Sequence, residues 1–260
     1  MGLGIRSLLV RTYTEFCLRR ELSKLTREIR IFYTGVNSPL DTLANKYHTD
    51  KGGGMKAGEK FPWPCHTYTD LYYLLFCMSR TSTKRVFEFG LGSNDESIPN
   101  AMTAFGKPGA SLRLWREFFP MAQIYGADID KNVLFSDDRI RTFYCNQLDS
   151  TSLIDMWVLV GESDFDVIVD DGLHTFEAGK NTFDVSVRHL STDGLYIIED
   201  VSDVDMLRFL AYFEGLPQYS AMFVSMFDCV LKPVDNNVIV VRHNAAVSTL
   251  VVDDVMHSEA

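Results

Sequence analysis

Two short apolar runs in the chain are each followed by residues that can bind metal ions or move protons. Runs of this length are typical of buried strands in parallel sheets. Asp170, Asp171 and His174 follow the first run, and Glu199 and Asp200 follow the second. If the two strands are neighbours, up to four carboxylates and one imidazole project into one crevice. Open α/β sheets bind their ligands there, beyond the carboxyl ends of the strands.

Such a set of side chains suits a hard divalent cation with a proton acceptor beside it. Carboxylate oxygens are the ligands that Mg²⁺ prefers, and an imidazole can accept a proton from a hydroxyl group. The simpler alternative is that acids at strand ends cap the next helix or face water. Two acidic pairs together with a histidine favour the cation site.

Length and composition indicate a soluble globular protein that consists of one domain with an appendage. The chain has 260 residues, of which 46% are hydrophobic and 23% are charged, and this is enough to bury a full core. The net charge of −10 argues against general nucleic-acid binding, because a phosphate backbone attracts basic surfaces.

The cysteines and the apolar runs lead to an expectation about location. The five cysteines are odd in number and include no Cys-x-x-Cys pair, so we expect free thiols in a reducing compartment. No apolar run approaches the roughly 20 residues of a membrane span, and the first residues lack the apolar core of a signal peptide. We therefore expect a cytoplasmic protein without a transmembrane segment.

Alternating strand and helix patterns begin at about residue 84 and predict βαβ units. The expected fold is a Rossmann-like α/β sheet, mostly parallel, with an antiparallel strand from a C-terminal hairpin. We predict a helical N-terminal extension over residues 1–80, the sheet domain over 81–245 and a tail over 246–260. Within the extension, residues 5–33 show helical spacing. The Gly- and Pro-rich segment at about 49–65 is typical of either a disordered segment or a functional lid, and we predict a lid-like loop.

The predicted N-terminal helix carries an excess of basic residues. It has three possible roles: contact with an anionic membrane, contact with an acidic partner, or packing on its own domain or a second subunit. We favour packing, and we expect a homo-oligomer.

The first predicted strand of the sheet domain contains Glu88 and runs into Gly90-Leu-Gly92, where the backbone can approach a ligand closely. The full dinucleotide fingerprint is absent, because no third glycine and no immediate helix N-terminus follow to hold a diphosphate. Asp128 ends the next strand, in a position where an acid can bind both hydroxyls of a ribose. These features favour S-adenosylmethionine, which has no phosphate, over a nicotinamide cofactor.

A series of further motifs runs through the chain in a definite order. These motifs are Lys46-Tyr-His-Thr-Asp-Lys-Gly52, His66-Thr-Tyr-Thr69 with Tyr72, Val86-Phe-Glu-Phe-Gly-Leu-Gly92, Gly109-Ala-Ser-Leu-Arg-Leu-Trp-Arg-Glu-Phe-Phe-Pro120, Gly126-Ala-Asp-Ile-Asp130, Asn146-Gln-Leu-Asp149, Asp170-Asp-Gly-Leu-His174 and Gly194-Leu-Tyr-Ile-Ile-Glu-Asp200. The series resembles the metal-dependent sugar O-methyltransferases of macrolide biosynthesis, within the class I S-adenosylmethionine-dependent methyltransferases. The resemblance covers about residues 43–200, and the ordered series is more specific than any single motif.

The resemblance implies a role for individual residues. It implies Mg²⁺, or another divalent cation, held by Asp171, Glu199 and Asp200, with Asp171 and His174 as catalytic residues and His174 as the general base. It also implies a set of residues that bind S-adenosylmethionine, with Asp128 at the ribose. This set consists of Glu88, Gly90, Gly92, Ser111, Asp128, Gln147, Asp149 and Asp170.

The acceptor is less well defined, because loops rather than the cofactor core determine it. His66, Tyr68 and Tyr72 start a predicted helix and are candidate substrate contacts, although an aromatic stripe usually packs in a core. A macrolide sugar, a bacterial polysaccharide and a lipid-linked sugar all remain possible as acceptors. The competing functions are O-methylation of a catechol-like small molecule and a non-catalytic module that binds S-adenosylmethionine.

Overall fold

The structure, a computed structural model, describes residues 28–32, 38–53, 61, 66–227 and 235–244. Most of the predicted N-terminal helix, most of the lid-like loop and the whole predicted tail lie outside the described residues. Cys77 and Cys145, the cysteines within the described part, are free thiols. In the same part of the chain, no helix has the length and apolar character needed to cross a membrane.

The described residues form one sheet of nine strands. The strands are β1 Glu28–Phe32, β2 Arg85–Phe89, β3 Gln123–Asp128, β4 Ser136–Asp137, β5 Ile140–Tyr144, β6 Phe165–Asp170, β7 Leu190–Ile198, β8 Tyr219–Phe227 and β9 Asn237–His243. Their order across the sheet is β1-β8-β9-β7-β6-β2-β3-β5-β4. Neighbours are parallel except where β9 pairs with β7 and β8, and where β4 pairs with β5. The predicted mostly parallel sheet with an antiparallel C-terminal strand is confirmed.

Six α-helices lie among the described residues. They are α1 Pro39–Tyr47, α2 Tyr68–Phe76, α3 Ala110–Phe118, α4 Ser150–Val160, α5 Phe176–Ser186 and α6 Asp203–Glu214. Single 3₁₀ turns occur at Thr103–Phe105, Lys131–Val133 and Val187–His189. The buried apolar residues form two clusters: one includes residues of α4, α5 and α6, and the other includes residues of α1, α2 and α3. The sheet contributes buried residues to both clusters.

The prediction of helix over residues 5–33 is wrong for one segment. Glu28–Phe32 is a strand, and it pairs in parallel with β8 at the end of the sheet. The reason is visible in the sequence Glu-Ile-Arg-Ile-Phe, in which charged and apolar residues alternate as in a strand. Because the apolar residues before this segment are at helical spacing, the short change to the two-residue period of a strand was missed.

The local sequence of helix α4 determines where the helix begins, where it ends and which of its faces is buried. Asp149 caps its first turn by accepting a hydrogen bond from the backbone N–H of Thr151 at 2.9 Å. Gly161 ends it in the left-handed conformation at a φ of 69°. Leu153, Met156, Trp157 and Val160 share the buried face, in the spacing of an amphipathic helix.

The sheet brings the two acid-ended strands together. β6 and β7 are parallel neighbours, with Asp170 in register with Ile198. Asp171 and Glu199 therefore leave adjacent strands at the same edge. β2 lies between β6 and β3, and the order of the strands along the chain reverses at this point of the sheet. A crevice forms at such a point, and Gly90, directly after β2, lies beside it.

We predict that the two leucines of α4 differ sharply in their effect on stability. Leu153 is fully buried, whereas Leu159 is 67% exposed. Leu153→Ala should lower the free energy of unfolding by about 2–5 kcal/mol, since it leaves a cavity in the core. Leu159→Ala, the same change on the same helix, should cost about 0.5 kcal/mol or less. Urea unfolding measures both, and equal losses would contradict the described packing.

Candidate active site

A cavity of about 470 Å³ lies at the carboxyl ends of the central strands. Most of the residues that the sequence predicts for the site line it. These are His66, Gly90, Gly92, Ser111, Asp128, Gln147, Asp171, His174, Glu199 and Asp200. Residues from separate parts of the chain thus meet in a single cavity.

Five predicted site residues do not line this cavity. Asp149 is exposed and serves as the N-cap of α4. Glu88 is fully buried, and one of its carboxylate oxygens accepts a hydrogen bond from the indole N–H of Trp115. Tyr68 and Tyr72 are also fully buried. The fifth, Asp170, is 4% exposed and lies against a much smaller cavity of about 10 Å³ behind the main one.

Gly90 is required by both its conformation and its surroundings. Its φ is 86°, in the left-handed region that glycine favours. A Cβ atom at this position would lie 1.9 Å from the backbone oxygen of Asp171. The absence of a side chain thus lets β2 approach the loop that carries Asp171.

Asp128 is held by the backbone around it. Its Oδ2 accepts the N–H of Leu91 at 2.7 Å, and its Oδ1 accepts the N–H of Asp130 at 2.8 Å. Burial raises the pKa of Asp128, while these hydrogen bonds oppose the shift. The carboxylate is therefore fixed at the cavity wall, where its remaining lone pairs can accept hydroxyl groups.

Gln147 ties the loop after β6 to the strand itself. Its Nε2 donates to Asp170 Oδ1 at 2.6 Å, and its Oε1 accepts the backbone N–H of Leu173 at 2.8 Å. A side chain at Gly172 would displace the Gln147 amide, since a Cβ there would lie 1.9 Å from Gln147 Oε1. The Gln147 side chain thereby fixes the course of the loop that presents Asp171 and His174.

Asp171, His174 and Asp200 form an acid–imidazole cluster at the floor of the cavity. The Nε2 atom of His174 lies 3.2 Å from Asp171 Oδ1 and 3.4 Å from Asp200 Oδ2. His174 and Asp200 both adopt left-handed backbone conformations, with φ values of 56° and 53°. Strained backbone of this kind is found at functional sites, where the surrounding structure holds it in place.

The cluster carries more negative than positive charge. Burial lowers the pKa of His174, but the negative charges of Asp200 and Asp171 outweigh burial and raise it to about 10. Burial raises the pKa of Glu199; Lys51 opposes this shift, and the charge of Asp171 adds to it. A site of this sign attracts a cation.

Lys51 contributes an ammonium group that the sequence analysis did not assign. Its side chain is 2% exposed, and its Nζ atom lies 2.5 Å from Asp171 Oδ2 and 3.6 Å from Glu88 Oε1. It also forms an ion pair with Glu199. Burial lowers the pKa of Lys51, but the three carboxylates raise it well above its usual value.

The phenol groups of α2 reach Glu199 and Asp200, the acids that follow β7. Tyr72 donates a hydrogen bond to Glu199 Oε1, and Tyr68 donates to Asp200 Oδ1 at 2.5 Å. His66 stacks on Tyr68 with ring centroids 4.8 Å apart, and its Nδ1 lies 3.3 Å from Asp200 Oδ1. Tyr68 and Tyr72 therefore orient carboxylates from behind, and His66 is the one of the three candidate substrate contacts that reaches the cavity.

The signal that could have found Lys51 is the charge balance of the predicted site. Glu88 within a buried strand and the acids beyond two other strands leave a surplus of buried negative charge. Such a surplus needs a basic partner. Lys51 lies in one of the motifs that carry the resemblance, but the Gly- and Pro-rich composition around it indicates a lid rather than part of the site.

The donor atoms of the cluster fit a hard divalent cation. Ligand atoms of Asp171, His174 and Asp200 all lie within 4.8 Å of one another, and carboxylate oxygens suit Mg²⁺. Glu199, the third predicted ligand, is not a member of this group among the described residues. Its two oxygens are bound by Lys51 and Tyr72 instead.

We predict that alanine is tolerated less well at Gly90 than at Gly161. Both glycines have positive φ values, 86° and 69°, so alanine costs about 1–2 kcal/mol at each for backbone strain. At Gly161 the nearest atom to an added Cβ is 4.0 Å away, whereas at Gly90 it is the Asp171 oxygen at 1.9 Å. Gly90→Ala should therefore lower the melting temperature further than Gly161→Ala. Equal shifts would contradict the close contact between β2 and the Asp171 loop.

Comparison with known proteins gives several relatives. No family model matches the chain. The chain is 31% identical over 167 residues to L-olivosyl-oleandolide 3-O-methyltransferase of Streptomyces antibioticus, across 64% of this chain and 38% of the relative. It is 33% identical over 162 residues to mycinamicin VI 2″-O-methyltransferase of Micromonospora griseorubida, across 62% of this chain and 36% of the relative. Demethylmacrocin O-methyltransferase of Streptomyces fradiae is 31% identical, across 65% of this chain and 38% of its own length.

A solved structure extends the likeness to the fold. The MycE methyltransferase from the mycinamycin biosynthetic pathway, in complex with Mg and SAH, matches with a TM-score of 0.56 at 25% identity, over 80% of this chain and 55% of that chain. The chain thus spans less than two fifths of the length of the curated relatives it matches and about half of this structure. The chain has the class I methyltransferase fold, and it is similar in sequence and structure to macrolide sugar O-methyltransferases.

Proposed function

We propose that the chain carries the catalytic site of a cation-dependent, S-adenosylmethionine-dependent O-methyltransferase that acts on a sugar hydroxyl. The observation that carries the proposal is the cluster of Asp171, His174 and Asp200 on the floor of the cavity beside Gly90. It combines oxygen ligands, a proton acceptor and a glycine-lined wall in one place. The name of L-olivosyl-oleandolide 3-O-methyltransferase supports a sugar acceptor, since that substrate carries an olivosyl group.

The metal site in this proposal uses Asp171 and Asp200 as ligands, and Glu199 is a neighbouring acid whose two oxygens are bound by Lys51 and Tyr72. When bound, a divalent cation supplies the positive charge that the cluster lacks, and S-adenosylmethionine supplies a methyl group on a sulfonium. The negative charges that raise the pKa of His174 are then balanced. Its Nε2 becomes able to accept the proton of the acceptor hydroxyl.

The cofactor side of the cavity uses backbone and acids. Gly90 and Gly92 allow the backbone to approach the methionine portion, and Ser111 lies in the same wall. Asp128 accepts the ribose hydroxyls, and Gln147 lies at the adenine end. Glu88 acts from behind the wall, since it is buried against Trp115 and Lys51. The protein thus contributes mainly orientation and proton transfer.

Replacing the proposed general base, His174, or the proposed metal ligand, Asp171, should strongly reduce turnover without unfolding the protein. His174→Ala and Asp171→Asn should each lower kcat for methyl transfer to a sugar acceptor by about 100-fold or more, since general bases contribute about 10²- to 10⁴-fold. Asp155→Asn, on the exposed face of α4, is the matched control and should leave kcat unchanged. The proposed roles fail if either site variant, still folded by circular dichroism, keeps a near-wild-type rate. Parallel assays with catechols test the competing acceptor class.

Two of the three aspartates that are predicted to bind the cofactor should behave differently. Asp128 lines the cavity, whereas Asp149 is exposed and caps α4. Asp128→Asn should weaken S-adenosylhomocysteine binding by about 10- to 100-fold, the value of hydrogen bonds to a charged group. Asp149→Asn should change the affinity less than threefold, because asparagine caps a helix as well as aspartate. Calorimetric titration measures both, and a large loss in Asp149→Asn would instead support the cofactor contact that the resemblance implies for Asp149.

A further inference from the structure

The site depends on a cation that belongs to the protein itself. Lys51 lies in the loop after α1, and its ammonium contacts carboxylates from β2 and from the loops after β6 and β7. The loop is fixed by backbone hydrogen bonds at the lysine and at the residue before it. Thr69 N donates to Lys51 O at 3.1 Å, and His66 N donates to Asp50 O at 2.9 Å.

Lys51 divides the two oxygens of Asp171 between different partners. Oδ2 is bound by the ammonium at 2.5 Å, and Oδ1 lies 3.2 Å from Nε2 of His174. The ion pair therefore restrains the plane of this carboxylate, so that one oxygen faces the acid–imidazole cluster while the other faces the ammonium.

Glu199 is held on the opposite side by the same ammonium. One of its oxygens is bound by Lys51 and the other by the Tyr72 hydroxyl. The side chain is 1% exposed, so it has little space for another orientation. Lys51 therefore restrains two neighbouring acids. Asp171 faces the acid–imidazole cluster, whereas both oxygens of Glu199 are already bound by Lys51 and Tyr72.

We propose that Lys51 is a positioning residue of the divalent-cation site. It presents Asp171 to the cation and restrains Glu199, and it does not itself touch the reacting atoms. This inference rests on the proposed function, because it assumes that a cation binds between Asp171 and Asp200. Residues that orient metal ligands in this way typically change metal affinity by about 10- to 100-fold.

Mn²⁺ binding, followed by electron paramagnetic resonance in the absence of cofactor, tests the inference. Lys51→Met removes the charge and nearly keeps the shape of the side chain, and it should weaken Mn²⁺ binding by about tenfold or more. Lys46→Met is the matched control, since this lysine is 54% exposed and pairs with Glu117 on the surface. It should bind Mn²⁺ like the wild type.

A double variant separates positioning from simple charge balance. Lys51→Met leaves Glu88 buried without its basic partner, so the single variant is also expected to melt at a lower temperature. Lys51→Met with Glu88→Gln removes that acid and should recover part of the melting temperature. Its Mn²⁺ affinity should stay about tenfold below the wild-type value, because Asp171 and Glu199 remain unrestrained.

The outcomes distinguish this inference from the proposed function. If the double variant binds Mn²⁺ within about threefold of the wild type, Lys51 only neutralises Glu88 and the inference is overturned. Failure of both Lys51 variants to fold also overturns it, in favour of a purely structural role. If the wild-type protein binds no Mn²⁺, the cation in the proposed function fails, and the role of Lys51 fails with it.

Discussion

Negative charge concentrated in a poorly hydrated part of the protein governs this structure. Asp171, Glu199 and Asp200 leave two adjacent strands at the same edge, and Glu88 lies below them in a third strand. Like charges at such short range repel strongly where water is excluded. The site is stable only if cations and hydrogen-bond donors approach the acids closely, and this requirement explains the contacts around them.

These donors come from the segment that precedes the sheet domain. Lys51 follows α1, and Tyr68 and Tyr72 lie on one face of α2. The sheet supplies acids on a rigid frame, while the preceding segment supplies the ammonium and the phenols that orient them. The boundary predicted near residue 80 therefore divides the site. Lys51, Tyr68 and Tyr72, which precede this boundary, contact the acids that follow β6 and β7.

Much of the fold was predictable because strands and helices alternate clearly after residue 84. The apolar run that ends at Asp170 predicted its own strand, which the structure confirms. The glycines after Phe89 predict a close approach to a ligand, which stays a prediction, and the close contact of Gly90 with the Asp171 backbone was not foreseen. Glu28–Phe32 escaped prediction because a five-residue alternation is short beside the longer helical spacing before it.

The site was predictable in its residue types and less so in its contacts. The acids after β6 and β7 were found because parallel strands place their carboxyl ends together. The partner of each acid was not, since Lys51 approaches Asp171 from 120 positions away in the chain. Asp149 shows the reverse case, because an acid between a strand and a helix suits both a ligand contact and a helix cap, and only the three-dimensional structure separates them.

The measurement that tests the central claim most directly is the anomalous diffraction of crystals grown with Mn²⁺ and S-adenosylhomocysteine. The account predicts one manganese peak at the floor of the cavity, within coordination distance of carboxylate oxygens of Asp171 and Asp200, about 2.1 Å for a cation of this kind. The S-adenosylhomocysteine should lie along Gly90 and Asp128 in the same cavity. A manganese peak elsewhere on the protein, or an acid–imidazole cluster without manganese at saturating concentration, would contradict the account.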